Sequence, residues 1–282
     1  MSARQDIASL PRRRMSPLRF IMPGIVLFWL AMTFIGHSVA PYSGAAIQNA
    51  DIFEGMSRKF LLGTDYLGRD MLSRILEGAR FTVGISLAAT ALAVGVGLLL
   101  ALTASALGGL VDQALSRFLD ALISIPSKMF GLVVVAAFGA SIPVLIVTMA
   151  IIYVPGCYRI NRAAAVNIAT LDFVAVARSR GESTFYIMVR EILPNMMGTT
   201  LADFGLRFIY VVLLLSSLSF LGLGVQPPDA DWGSLVRENM PGLPYGAPAV
   251  LMPALAIASL TIAVNLSIDV FFGGRRAREG VH

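Results

Sequence analysis

The stretch FTVGISLAATALAVGVGLLLALTASAL, residues 81–107, decides the fold class of this chain, because it holds no charged residue. A helix needs about 20 mostly apolar residues to cross the hydrocarbon of a bilayer. The whole 282-residue chain has the same character, with 56% hydrophobic and 14% charged residues and a mean hydropathy of +0.76. Soluble domains carry about 25% charged residues. The composition therefore predicts a membrane protein and excludes a soluble globule, a disordered chain and a fibrous repeat.

Five further spans follow from the same length argument, which predicts an all-α membrane protein of six transmembrane helices. The charge-free run 129–158 is too long for one span and too short for two, so the turn signal at 139–143 divides it. Its first half must begin near Arg117 or Phe118, which draws Asp120 and Lys128 into the membrane. The first span ends in a faint cleavage signal, but its length favours a retained helix over a signal peptide. The predicted spans are 20–40, 81–107, 117–138, 143–162, 198–224 and 248–272.

Basic residues set the predicted orientation, because cytoplasmic segments carry an excess of Lys and Arg. With the N-terminus inside, the inner segments hold 14 basic residues and the outer segments hold 6. We therefore expect both termini in the cytoplasm, an N-in/C-in topology. The predicted organisation is an N-terminal cytoplasmic segment (1–19), a first transmembrane helix (20–40), an outside loop (41–80), a domain of five transmembrane helices (81–272) and a cytoplasmic tail (273–282).

The longest inner connection, residues 160–197, carries the signals of two short helices. Thr170 can cap the first helix, with Asp172 in its first turn and Arg178 in its last turn. Gly181 can end that helix in a left-handed conformation. The connection therefore bends at Gly181 rather than running as one helix.

A second helix is predicted after Ser183, which can serve as its cap. Pro194 is expected to stop it before the fifth span. Such a helix fits either of two roles, an amphipathic helix resting on lipid or on the chain's own spans, or a docking element for a cytoplasmic partner. Its predicted apolar face is formed by Phe185, Met188, Val189 and Ile192.

The same connection resembles the EAA loop of bacterial ATP-binding-cassette (ABC) importer permeases, through residues 172–181 (DFVAVARSRG) and 192–195 (ILPN). More specifically, the chain is similar to the dipeptide/oligopeptide/nickel permease family, in its C-type or second-permease branch. Further matching stretches cover most of the chain in order: 62–70 with 73–74 and 78–80, 218–228, 231–233, 265–266 and Asp269.

The resemblance implies a non-catalytic, multi-pass permease subunit of the bacterial inner membrane. It would pair with a second homologous permease, two cytoplasmic ATPases that bind ATP and Mg, and a periplasmic or lipid-anchored solute-binding protein. ATP-driven closure of the ATPases would switch the pore from an inward-facing to an outward-facing state through residues 171–194 of the inner connection 160–197. Residues 171–194 are hereafter the coupling loop. Membrane lipid is the other expected contact. The residues implied in coupling are Asp172, Ala175, Ala177, Arg178, Gly181, Phe185, Arg190 and Pro194.

This sequence departs from the family pattern at three places. The glutamate of the EAA motif falls on Ala175, and Arg180 stands where the family has an apolar residue. Residues 271–273 also interrupt the signature of the last span. The first departure removes one charged contact that the family makes with its ATPase.

Charged residues inside the predicted spans are candidates for the pore. Lys128 either snorkels toward the inner surface or faces the pore, where it would meet a substrate carboxylate or Asp120. Asp203 and Arg207 lie four residues apart and are predicted to pair along one helix face, with a pore-lining role as the alternative.

The outside loop carries a second charged group. Asp65, Arg69 and Asp70 are predicted either to hold the loop together by internal ion pairs or to form an external gate or a contact with the solute-binding protein.

Several function classes are disfavoured by what the sequence lacks. It has one cysteine and two histidines, so we expect no metal site in this chain. It has no P-loop motif, so ATP is not expected to bind here, and its excess of arginine is explained by topology rather than by nucleic acid. A stand-alone secondary transporter or channel is the alternative function. The transported substrate is not specified by these residues.

Overall fold

The computed structural model describes residues 18–48 and 50–279, with side chains between Phe20 and Phe271. The regular secondary structure of the described residues is helical, with only an isolated bridge between Thr64 and Asp70 and no strand. Most of the predicted segment 1–19 lies outside the described residues, as do the last three residues of the predicted tail, whereas residues 273–279 continue the last helix. The helices are α1 (Leu18–Val39), α2 (Met71–Leu107), α3 (Gly109–Ile123), α4 (Ser127–Phe138), α5 (Ile142–Ala169), α6 (Asp172–Ser179), α7 (Thr184–Tyr186), a π-turn (Ile187–Ile192), α8 (Leu193–Phe220), α9 (Trp232–Asn239), a 3-10 segment (Met240–Tyr245) and α10 (Pro248–Glu279).

The prediction of an all-helical membrane protein is confirmed. Five helices are long and apolar enough to cross a membrane, and the pair α3 and α4 makes a sixth span if the two are counted together. We call the end of the bundle that carries residues 40–70 the outer end and the opposite end the inner end, following the predicted orientation. Residues 40–70 are hereafter the outer loop. It is shorter than the predicted loop, since residues 71–80 already belong to α2.

The third span is not the continuous helix that the sequence predicted. Helices α3 and α4 meet at an angle of 82° around Ser124, Ile125 and Pro126. Proline lacks the backbone N–H that a helix interior requires, and it disfavours helical geometry at the residue before it. Pro126 therefore ends one helix and becomes the N-terminal flank of the next.

Helix α2 is the centre of the bundle, since its residues contribute to each of the four buried apolar clusters of the described chain. Gly97 lies at a close approach of α2 and α5. A Cβ there would stand 2.6 Å from the Cβ of Cys157 and 3.0 Å from the backbone nitrogen of Tyr158. Small residues allow such backbone approach between membrane helices, where lipid offers no hydrophobic driving force.

Candidate functional site

The coupling loop begins with α6, which ends in a Schellman motif at Gly181. Gly181 has a φ of +80°, its N–H donates to the carbonyl of Arg178, and the N–H of Glu182 donates to the carbonyl of Ala177. These two bonds satisfy carbonyls that a helix end otherwise leaves unpaired. The predicted left-handed end at Gly181 is therefore confirmed. The predicted cap at Thr170 is wrong, because Leu171 occupies that position and Thr170 ends α5.

The second part of the coupling loop is a π-turn rather than a regular helix that stops at Pro194. Ser183 caps it as predicted, its Oγ accepting from the N–H of Tyr186 at 3.2 Å. The N–H of Leu193 donates to the carbonyl of Met188, five residues earlier. The π-turn leads directly into α8, whose first turn contains Pro194. A proline in the first turn loses no helical hydrogen bond, so the chain continues through it.

The π-turn also changes which apolar residues are buried. Ile187 and Ile192, five residues apart, are 6% and 2% exposed. Phe185 is 70% exposed and Val189 is half-exposed, although both belong to the predicted apolar face. The predicted face is therefore split: Ile192 and Met188 pack against the membrane helices, whereas Phe185 and Val189 are exposed. The prediction assumed α-helical spacing, whereas a π-turn hydrogen-bonds residues five apart.

The coupling loop consequently has two faces. One face packs against the membrane helices, where it contacts Leu102 of α2, Ala165 of α5 and Met196 of α8. This face is formed by Val174, Ala177, Ile187 and Ile192. The opposite face leaves apolar side chains uncovered, namely Leu171, Phe173, Val176, Phe185, Tyr186 and Val189. Of the predicted coupling residues, Ala177 is buried, whereas Asp172, Ala175, Arg178, Gly181, Phe185, Arg190 and Pro194 are exposed.

Two ion pairs connect the broken helix to α5 just before the coupling loop. Arg162 forms a bidentate ion pair with Asp112 of α3. Arg159 pairs with Asp120 at 2.5 Å. Asp120 is therefore not the partner of Lys128 that the sequence allowed, because α3 turns it toward α5. These pairs fix α3, whose only buried residue is Leu119, to the helix that leads into α6.

Asp203 and Arg207 form the predicted pair on α8, with Arg207 Nε 3.1 Å from Asp203 Oδ1. The Arg207 guanidinium lies against Gly156, where a Cβ would stand 2.6 Å from its Nη1. Arg207 also lines a cavity of 190 Å³ beside Ile125 and Ser127 at the break. The pair is therefore close to the interrupted span, and its pore-lining role stays a prediction.

Two charged residues of the outer loop, Asp65 and Arg69, are buried in one network. Asp65 is fully buried and accepts from the backbone N–H groups of Leu67 and Arg69, from Arg69 Nε at 2.7 Å and from Arg74 Nη1 at 2.7 Å. Glu238 of α9 completes it, with its Oε2 2.9 Å from Arg74 Nη1. The predicted internal ion pairs are thus present. The predicted roles of these side chains as an external gate or as a contact with a solute-binding protein stay predictions. The side chains lie beneath the loop surface.

Further contacts fasten the outer loop to the membrane helices. Asp70 caps α2, accepting from the N–H and Oγ of Ser73. Asn239 Oδ1 accepts from the N–H of Tyr66, and Trp232 Nε1 donates to the carbonyl of Ile75. Sequence reasoning missed Glu238 and Asn239, because their partners lie more than 160 residues away and no local spacing links them.

A buried carboxyl holds the turn between α8 and α9. Asp231 accepts from the backbone N–H groups of Val225, Gly233 and Ser234. Burial raises the pKa of this carboxyl above its usual range, and the three N–H donors oppose that shift. The carboxyl therefore acts here as the cap of α9.

Comparison with known proteins places the chain in a family. Residues 93–276 match the family described as binding-protein-dependent transport system inner membrane component. The chain is 32% identical over 255 residues to the di/tripeptide transport system permease protein DppC of Pseudomonas aeruginosa, covering 87% of this chain and 84% of that protein.

Two other relatives agree with that result. The chain is 33% identical over 267 residues to a putative peptide transport system permease protein of Brucella suis, covering 92% of this chain and 88% of that protein. It is 31% identical over 245 residues to the glutathione transport system permease protein GsiD of Pectobacterium atrosepticum, covering 86% and 81%. The chain therefore belongs to the binding-protein-dependent inner membrane component family and is a multi-pass permease subunit of an ABC importer.

Proposed function

We propose that this chain forms half of the translocation pore of an importer for peptides or related small solutes in a bacterial inner membrane. A second homologous permease supplies the other half, two ATPases bind ATP and Mg on the cytoplasmic side, and a periplasmic or lipid-anchored protein delivers the solute. The relatives named for di/tripeptide, peptide and glutathione transport support this substrate class. The chain itself carries no catalytic step in this proposal.

The two-faced coupling loop is the observation that carries the proposal. One face packs on α2, α5 and α8, so displacement of the loop reaches the membrane helices directly. The other face exposes an apolar surface that includes Val176 and Phe185, at 56% and 70% exposure. Exposed apolar surface of this kind marks binding sites for protein partners. We assign this surface to the ATPase.

Docking here relies on shape and apolar contact more than on charge. Ala175 stands where the family has a glutamate, and it is exposed. Arg180, at the end of α6, approaches only Glu182, at 3.9 Å. The position of the coupling loop is nevertheless fixed, because its Schellman motif and π-turn set the angle between α6 and α8 without an ion pair to the described side chains of the spans.

The path of the conformational change runs from the coupling loop to the broken helix. Helix α5 leads into α6, and its Arg159 and Arg162 hold α3 through Asp120 and Asp112. A shift of α5 driven by the ATPases therefore moves α3 relative to α4 about residues 124–126. Such a shift follows ATP because the nucleotide states favour the two conformations unequally.

Uptake by the reconstituted importer tests this function. The chain is purified with its second permease and ATPases, placed in proteoliposomes and supplied with ATP and peptide-loaded binding protein. The proposal expects peptide uptake that stops when any one component is omitted. ATP-independent uptake by this chain alone would favour a stand-alone transporter or channel instead.

A further inference from the structure

We infer that the groove beside Lys128 is a binding site for the carboxylate end of the transported peptide. The inference rests on the proposed function, because it takes the transported solute to be a peptide. It is carried by four features of the molecule: the depth of Lys128, the absence of a counter-ion, the broken backbone next to it, and the composition of the groove.

Lys128 lies in the middle of the predicted third span, 117–138. It is ten residues from Phe138, the last residue of α4, after which the chain turns into α5. Ten helical residues span about 15 Å, which is half of the roughly 30 Å hydrocarbon thickness. A lysine at this depth lies beyond easy reach of the headgroups, so it needs an interior partner or water rather than a lipid phosphate.

No acidic side chain in the described part of the chain neutralises Lys128. Its ammonium makes no ion pair within 4.0 Å there, and Asp120 is held by Arg159 instead. Asp203 of α8, the other acidic candidate for the pore, is paired with Arg207. The ammonium is also exposed in this single chain. Its counter-charge therefore comes from outside the described residues.

The broken backbone beside Lys128 indicates that protein or water, rather than lipid, covers this part of the third span. Residues 124–126 are non-helical and exposed in the single chain. Irregular backbone at membrane depth is tolerated only when it is buried in protein or lines a water-filled cavity, because lipid cannot satisfy its polar groups. Lys128 follows this break directly, at the start of α4. It therefore faces the solute path or the second permease.

The groove itself fits a small amphiphilic solute. It measures about 650 Å³ and lies between α4, α8, α9 and α10, within the range of small-molecule sites. Its walls are mostly apolar, Lys128 is its single charged lining residue in the described chain, and hydroxyl groups of Ser216, Ser217 and Thr261 also line it. One fixed cation and apolar walls match a carboxylate followed by small apolar side chains.

Carbodiimide coupling tests the contact directly, because the chain has only two lysines, Lys59 and Lys128. The reagent activates a carboxylate, which forms an amide with an adjacent amine. The complex is treated with trialanine and carbodiimide, with C-terminally amidated trialanine as the control, and the products are mapped by mass spectrometry. The inference expects trialanine on Lys128 and no product from the amide. Modification of Lys59 alone, or a cross-link from Lys128 to an acidic residue of the second permease, would overturn it.

Matched variants supply a second measurement in the reconstituted importer. Lys128→Met removes the charge and keeps most of the length, whereas Lys128→Arg keeps the charge. We expect Lys128→Met to lower trialanine uptake about tenfold or more, the scale of a charge-assisted hydrogen bond, and Lys128→Arg to retain most of it. Equal uptake by the wild type and Lys128→Met would overturn the inference. If the wild-type complex takes up no peptide, the proposed function fails, whereas the coupling experiment still decides the Lys128 contact.

Discussion

The outer loop and the coupling loop are both connections between membrane helices, yet they are stabilised in opposite ways. At the outer end, four charged side chains are buried in one network: Asp65 and Arg69 of the outer loop, Arg74 of α2 and Glu238 of α9. Between residues 171 and 194 the coupling loop buries only apolar side chains, and its one ion pair to a described residue is a loose contact between Arg180 and Glu182. The difference indicates that the outer loop is complete within the chain, whereas the coupling loop retains an apolar surface for a partner. Substitutions can therefore change stability at the outer end separately from coupling at the inner end.

Asp65→Ala is expected to have the largest effect on stability. It removes the acceptor of two arginines and two backbone N–H groups and leaves buried positive charge uncompensated. Breaking a buried ion pair in this way costs about 3–5 kcal/mol. Thermal unfolding of the detergent-purified chain measures the loss. The exposed Asp51→Ala is the control and should unfold within about 0.5 kcal/mol of the wild type. Equal unfolding of the two variants would show that the network does not stabilise the outer loop.

Phe185→Ala should leave stability nearly unchanged and weaken binding of the ATPase. Phe185 is 70% exposed, and aromatic anchors of interfaces lose about 2 kcal/mol or more on truncation, roughly a thirtyfold loss of affinity. Titration of the ATPase onto the permease pair measures it. Phe34→Ala, at 82% exposure on α1, makes the same chemical change away from the coupling loop and should bind normally. Normal ATPase affinity of Phe185→Ala would remove this surface from the interface.

Gly181→Val tests whether the geometry of the bend matters. Nothing lies within 4 Å of a Cβ at Gly181, so the cost comes from its φ of +80° alone. A left-handed conformation costs a residue with a Cβ about 1–2 kcal/mol. We expect ATP hydrolysis to continue while peptide uptake per ATP falls.

Gly181→Asn is the matched control, because asparagine tolerates the left-handed region better than other side chains. It should retain most of the peptide uptake per ATP. If the valine variant transports as efficiently as the asparagine variant, the Schellman bend is not part of the coupling.

Ala175→Glu is expected to have the smallest effect. It introduces the acidic residue that the resemblance to the EAA loop predicts here, at an exposed position of α6 where a longer side chain reaches solvent. The chain should unfold within about 0.5 kcal/mol of the wild type, as surface substitutions usually do. Any gain should be confined to affinity for the ATPase. A loss of stability would mean that α6 packs differently from its position here.

The apolar spans were predictable from the sequence because runs such as 81–107 have no other stable environment than lipid or a buried core. The left-handed residue at Gly181 and the cap at Ser183 were predictable because both depend on local chemistry. The i,i+4 pair of Asp203 and Arg207 was predictable for the same reason.

The remaining features depend on contacts between distant parts of the chain. Ile187 and Ile192 are buried together only because the π-turn lies against α2 and α8, and no propensity of residues 187–192 indicates it. Glu238 meets Arg74 from 164 residues away. The break at Pro126 had a local signal, the proline itself. The prediction of one continuous span over 117–138 rested on length and did not use that signal.

Photo-cross-linking from Val176 tests whether the exposed face of the coupling loop binds the ATPase. A benzophenone-bearing residue at position 176 is introduced into the complex in membranes and irradiated with and without ATP. We expect an adduct with the ATPase, and we expect its yield to depend on the nucleotide. Adducts with lipid alone, or with other helices of this chain, would contradict it and leave the coupling loop as a surface helix.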